Sequence, residues 1–164
     1  MIEVAVDNSV VSHYIAPTLS VPQLVADTIA FDEMISLARE GVIKLGGPWS
    51  TLLIENTMKS GESRHRAREL KEIIKSWPVH DPDPKMTNQL VRCLHEIMQD
   101  KDGVDSKQAV IVGKLTQARH FVTLDYRFHR QYNQRVDDIK SQCDFDLLVM
   151  TPTEFMEKYK EGNL

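Results

Sequence analysis

Ile2-Glu3-Val4-Ala5-Val6-Asp7-Asn8-Ser9 is an apolar, β-branched run that stops on a carboxylate, an amide and a hydroxyl. Such a run reads as a short buried strand ended by polar residues. A second one, Phe121-Val122-Thr123-Leu124, stops on Asp125. If both are parallel strands of one sheet, their C-terminal ends lie on one edge, where open α/β sheets place their chemistry. Asp7 and Asp125 then share a space, and carboxylates gathered there repel one another unless a cation holds them together.

Helical and extended stretches alternate outward from these two runs. Val10–Ile15 reads as a brief helix stopped before Pro17, and Pro22–Glu40 as a longer one with Leu24, Val25, Ile29, Met34, Ile35 and Leu37 at helical spacing. Gly41 ends it and Val42–Leu45 forms a second strand, followed by a Gly46-Gly47-Pro48 turn. Ser50 is a candidate cap for a helix carrying Leu52, Leu53 and Glu55, and a further helix is expected over Glu62–Ser76. Asp81-Pro82-Asp83-Pro84 excludes a regular helix interior, with Val79 as a weak edge strand before it and Lys85–Gln99 helical after it. Asp100–Gly103 is a break, and Asp105 starts a helix carrying Ala109, Val110, Val112, Gly113 and Ala118. Tyr126–Ile139 is mostly helix and Leu147–Met150 the last strand. Thr151, Pro152 and Glu154 have the spacing of a capping box with proline at the first helical position. Short strands interrupted by helices predict a three-layer α/β/α sandwich around a central, mostly parallel sheet. Residues 1–160 are read as one domain and 161–164 as a frayed tail.

The chain has 164 residues, enough for one domain with a real core. At 41% apolar and 27% charged, its composition is that of a soluble globular protein. No stretch approaches the ~20 apolar residues needed to span a bilayer. Glu3 and Asp7 stand where a signal peptide carries basic residues, so secretion is not expected. Cys93 and Cys143 are isolated and lack redox-motif or zinc spacing, which points to a reducing cytoplasm. The net charge of −4 argues against a generalised affinity for nucleic acid but leaves room for a local contact surface.

Two more carboxylates belong with Asp7 and Asp125. Glu55 lies one turn into the helix after the second strand and is long enough to reach back over the same edge. Asp105 lies at a helix start, where the dipole favours negative charge. Together the four are candidate catalytic residues and candidate ligands for a hard cation, which polarises a phosphoryl group and acidifies bound water. Ser9 and Thr123 supply supporting hydroxyls that orient a carboxylate or donate to a phosphate. The plainer readings stay open: Asp105 as a helix cap, Glu55 as a solvated helix residue.

Val6-Asp7-Asn8-Ser9-Val10-Val11 resembles the opening acidic motif of PIN-domain proteins. Asp105-Ser106-Lys107-Gln108-Ala109, with Thr123-Leu124-Asp125-Tyr126-Arg127-Phe128 after it, is similar to the family's paired late motif, an acidic helix start and a strand ending in Thr-x-Asp. Leu148–Phe155 is similar to the closing strand, turn and helix, and Glu55 takes the place of the middle acid with less motif context. The likeness covers residues 2–156; Ser106 departs from the small apolar residue common after the third acid.

The resemblance, which extends to VapC-like ribonucleases, implies a sheet order 3-2-1-4-5 and an endoribonuclease cutting RNA with Mg²⁺ or Mn²⁺. A metal-activated water would leave a 5′-phosphate and a 3′-hydroxyl. It also implies a homodimer and, for toxin members, an antitoxin-like partner. The rival within the fold is a catalytically weak or inactive module that binds RNA or protein. A phosphoaspartate enzyme is disfavoured because Asp7-Asn8-Ser9 lacks Asp-x-Asp, and a signal receiver because an early acidic pair and a suitable lysine are missing.

RNA contacts are expected from Arg64, Arg66, Arg68 and Lys71, with Lys59, His65 and Lys75 nearby, and from Arg127 and Arg130 beside His129. The bland alternative is a pair of solvated helices, since Glu62, Glu69 and Glu72 intersperse the first group. Trp77, Tyr126 and Phe128 are candidates for base stacking, with core packing the favoured reading. His13, His80, His95 and His120 show no paired ligand spacing.

Overall fold

A computed structural model of the chain describes residues 1–18, 20–48, 50–57 and 63–164, without the side chains of 51, 53, 56, 57 and 63. Lys59, and Glu62 at the expected start of a helix, lie outside the described residues, as does the Leu53 side chain. In chain order the elements are β1 (Ile2–Val6), α1 (Asn8–Ile15), α2 (Pro22–Arg39), β2 (Ile43–Gly47), α3 (Ser50–Thr57), α4 (Ser63–Ile73) and β3 (Lys75–Ser76). They continue with α5 (Pro84–Met98), a 3-10 turn at Lys101–Gly103, α6 (Val104–Val110) running into a π turn at Ile111–Leu115, and β4 (His120–Val122). The last are α7 (Tyr126–Gln134), α8 (Val136–Cys143), β5 (Leu148–Met150) and α9 (Pro152–Glu161).

All strand pairs are parallel, in the order β3-β2-β1-β4-β5, which is the order of a PIN-like α/β/α sandwich. β1 is central, with Ala5 opposite both Gly46 and Phe121. Successive side chains of a strand point to opposite faces, and two separate cores follow from that alternation. Val4 and Val6 join Val122 and Met150 in a core with Phe31, Met34, Leu70 and Phe155, covered by α1, α2, α4 and α9. Ala5, Phe121 and Val149 face the other way, against Leu94, Val110, Phe128, Tyr132 and Ile139 from α5–α8. Each fully buried aliphatic or aromatic side chain here contributes roughly 1.5–3 kcal/mol relative to exposure. Pro152 starts α9, the Thr151 side chain accepts from Glu154 N, and Glu154 reaches back to Thr151 N, the full capping box expected. Leu164 packs against the first core.

Three expectations are corrected. Gly46 and Gly47 are not a turn but the end of β2, paired with Lys75 and Ser76. Glycine is needed there for close approach: a Cβ on Gly46 would lie 2.1 Å from the Trp77 indole nitrogen and 2.7 Å from the Lys75 carbonyl. The third strand is Lys75–Ser76 rather than Val79, so the helix before it ends at Ile73. The two cysteines are bonded to each other, joining α5 to α8 with their Cα atoms 5.8 Å apart. The argument from isolated thiols to a reducing compartment falls with that bond. No helix among the described residues is long and apolar enough to cross a membrane.

Candidate functional site

Asp7 stands where β1 becomes α1. Its N–H continues the sheet by donating to Val122 O at 2.9 Å, and its carbonyl accepts from Val10 and Val11 as the helix starts. An aspartate in this capping position ordinarily turns its carboxylate onto the first helical N–H groups; Asp7 makes no such bond. Its Oδ2 accepts from Ser9 Oγ at 2.8 Å and Thr123 Oγ1 at 2.7 Å, and its Oδ1 from Gln108 Nε2 at 2.7 Å. Both hydroxyls are fixed from behind: Leu124 N donates to Ser9 Oγ at 3.0 Å and Asp125 N to Thr123 Oγ1 at 2.9 Å. Ser9 and Thr123 thus both donate to the first acid from held positions.

Asp125, by contrast, caps its helix: its Oδ1 accepts from Phe128 N at 3.0 Å. Asp105 lies in the first turn of α6 and is buried, with Arg127 Nη2 3.7 Å from its Oδ2. Burial pushes the Asp105 carboxyl above its ordinary range; Asp125 and then Asp100 push it further, Arg127 opposes them, and Asp7 adds to the rise. Asp7 and Asp125 thus both come within electrostatic reach of Asp105 at the C-terminal edge of the sheet. Glu55 is set differently. It is exposed and paired across to α4, with Lys71 Nζ 3.0 Å from its Oε1.

Two residues at this edge carry weight that their sequence context did not advertise. Asp100, taken as part of a loop break, is buried and holds the start of α6. It accepts from Ser106 N at 2.9 Å and Ser106 Oγ at 2.5 Å, and His95 Nδ1 lies 3.1 Å away. Burial would raise this carboxyl, but the Ser106 bonds and His95 outweigh it and hold it below the usual range. Ser106, the departure from the family pattern, is thereby explained as a donor to Asp100. Gln108, the second residue, lies one turn beyond Asp105; that spacing puts both on one helix face and was the available signal.

The basic residues are partly committed to the fold. Arg66 donates to Tyr14 O at 3.1 Å and lies 5.8 Å from the centre of the Tyr14 ring. Lys71 holds Glu55, and Arg127 leans towards Asp105. Arg64, His65, Arg68, Lys75 and Arg130 are exposed. His129 pairs with Glu154 at 2.8 Å, tying α7 to α9. The aromatic residues pack as favoured: Phe128 is core, Tyr126 donates to buried Asp27 at 2.6 Å, and Trp77 covers Gly46. His13 meets Thr28, and His120 is buried.

A divalent ion needs several carboxylate oxygens free to face it. Here both Asp7 oxygens accept from protein donors, one Asp125 oxygen caps α7, and Glu55 pairs with Lys71. Among the described residues, no three His, Cys, Asp or Glu side chains converge closely enough to hold an ion. As they stand, the described acids do not form an assembled divalent-ion site. No family model, curated protein or solved structure matches the chain. The likeness to PIN domains rests on strand order and on the acids that β1, α6 and β4 bring to one edge.

Proposed function

We propose that the chain is a PIN-like RNA-binding module whose nuclease chemistry is weak or lost. One observation carries this reading: the Asp7 carboxylate, central to the acidic edge, already accepts from protein donors on both oxygens, Gln108 on one and Ser9 and Thr123 on the other. Arg127 and Arg130, exposed on α7 beside that edge, supply phosphate contacts, with Arg68 and Arg64 on α4 as a second set. The test is fluorescence anisotropy with labelled single-stranded RNA across a salt series, run beside a cleavage assay in Mg²⁺ and in Mn²⁺. RNA binding without metal-stimulated cleavage is the expected result. Arg127→Ala and Arg130→Ala each reduce the salt slope by about one. Absence of salt-sensitive binding rejects the module.

A second reading is favoured by one observation, the raised Asp105 carboxyl. Burial is the largest cause, and the added crowding by Asp125, Asp100 and Asp7 is the kind of strain a cation relieves. On that reading Asp7, Glu55, Asp105 and Asp125 rearrange around Mg²⁺ or Mn²⁺ in an endoribonuclease, with the homodimer and antitoxin-like partner that the resemblance to PIN-domain toxins implies. Metal-dependent cleavage that disappears in folded Asp7→Asn and Asp125→Asn proteins establishes it over the first.

A further inference from the structure

We propose that Gln108 is a built-in substitute for a cation, a neutral amide that closes the acidic edge by occupying the Asp7 oxygen an ion would need. The inference deepens the reading of a PIN-like edge with weak or lost nuclease chemistry, and rests on it. The two oxygens of Asp7 are treated differently. Oδ2 takes the Ser9 and Thr123 hydroxyls, which are themselves pinned by the N–H groups of Leu124 and Asp125. Those donors sit on the first turn of α1 and just past β4, each held by a backbone N–H. Among the described residues, Oδ1 takes only the Gln108 amide, at 2.7 Å. A carboxylate repels an amide oxygen, so the NH₂ end is the one that faces it.

Gln108 is half-buried on α6, three residues beyond Asp105, on a long side chain able to swing aside. Its amide meets Asp7 without adding charge. It therefore fixes the first acid but leaves the repulsion of Asp105 by Asp125 and Asp7 unneutralised, and among the described residues only Arg127 brings positive charge to Asp105. An edge built this way holds its shape without an ion. Removing the amide frees Oδ1 in a field that still favours a cation.

The test is calorimetric titration of the full chain with MnCl₂, comparing wild type, Gln108→Ala, Gln108→Met and Gln108→Ala/Asp7→Asn, each checked for native circular dichroism. Gln108→Met keeps the length and helix preference of the side chain and carries the comparison if the alanine variant fails to fold. Wild type is expected to bind Mn²⁺ weakly, the variants lacking the amide about tenfold or more tightly, as loss of a hydrogen bond to a charged group allows. Adding Asp7→Asn should cancel the gain. Weak wild-type binding with no gain in either single variant, or a gain that survives Asp7→Asn, overturns the role of Gln108 alone. Tight Mn²⁺ binding by wild type overturns the underlying reading instead, so the two failures are distinguishable.

Discussion

Thr123 Oγ1 donates to Asp7 Oδ2 at 2.7 Å, joining residues 116 apart in sequence at the ends of neighbouring parallel strands. The same oxygen accepts the Asp125 N–H at 2.9 Å. One buried hydroxyl thus sets the position of the first acid and the backbone of the last. Thr123→Val keeps the shape and β-propensity but removes the donor to a carboxylate and the acceptor for an N–H. We expect a loss of about 2–3 kcal/mol in urea unfolding, with most of it restored in Thr123→Ser.

Asp105 is expected to behave in the opposite sense. Its folded pKa is raised, chiefly by burial and then by Asp125, so the native state binds its proton more tightly than the unfolded chain does. Stability from this group therefore falls as pH rises from the unfolded value of about 3.9 through the raised folded value. Asp105→Asn removes that penalty. The variant should have a higher thermal midpoint than wild type at neutral pH, and the difference should vanish in acid. A lower midpoint at neutral pH would mean that the pairing with Arg127 outweighs the crowding.

Asp100 carries the reverse dependence. Its folded pKa is depressed by the Ser106 bonds and His95, against the pull of burial. The stability it contributes is present above the unfolded carboxylate value and is lost as pH falls through the lower folded one. Asp100→Asn should cost about 1.5–3 kcal/mol at neutral pH, the range for hydrogen bonds to a charged group. Its stability curve should also be flatter than the wild-type curve below about pH 4. Chemical denaturation at neutral and acid pH checks both.

Much of this architecture is legible locally. β1 and β4 announce themselves as apolar runs ended by polar residues, and the Thr151–Glu154 box is written in four consecutive residues. What escapes is tertiary. β3 has two residues, both exposed, so no alternation marks it. Gly46 and Gly47 look like a turn until Lys75 and Ser76 pair with them and the Trp77 indole is placed over Gly46. Of the candidate site, Asp7, Asp105 and Asp125 reach one edge because strand and helix ends place them there. Glu55 sits on a helix surface, where Lys71 competes for it. Asp100 and Gln108 act through partners six and 101 residues away, and the spacing of Gln108 from Asp105 placed it on the acidic helix face without naming its partner.

The Cys93–Cys143 bond closes a separation of 50 residues, from α5 through the edge-bearing α6, β4 and α7 to the end of α8. Closing a loop of that length restricts the unfolded chain by about 4 kcal/mol in the chain-entropy account. The elements it ties together cover one face of the sheet, where Leu94 and Ile139 pack in a common core. Cys93→Ser/Cys143→Ser should therefore fold with the same circular dichroism but unfold at markedly lower denaturant. Reductant should bring wild type down to the same midpoint while leaving the double variant unmoved. Alkylation of the denatured, non-reduced protein should modify neither cysteine; two labelled thiols would show that the chain folds without this tether.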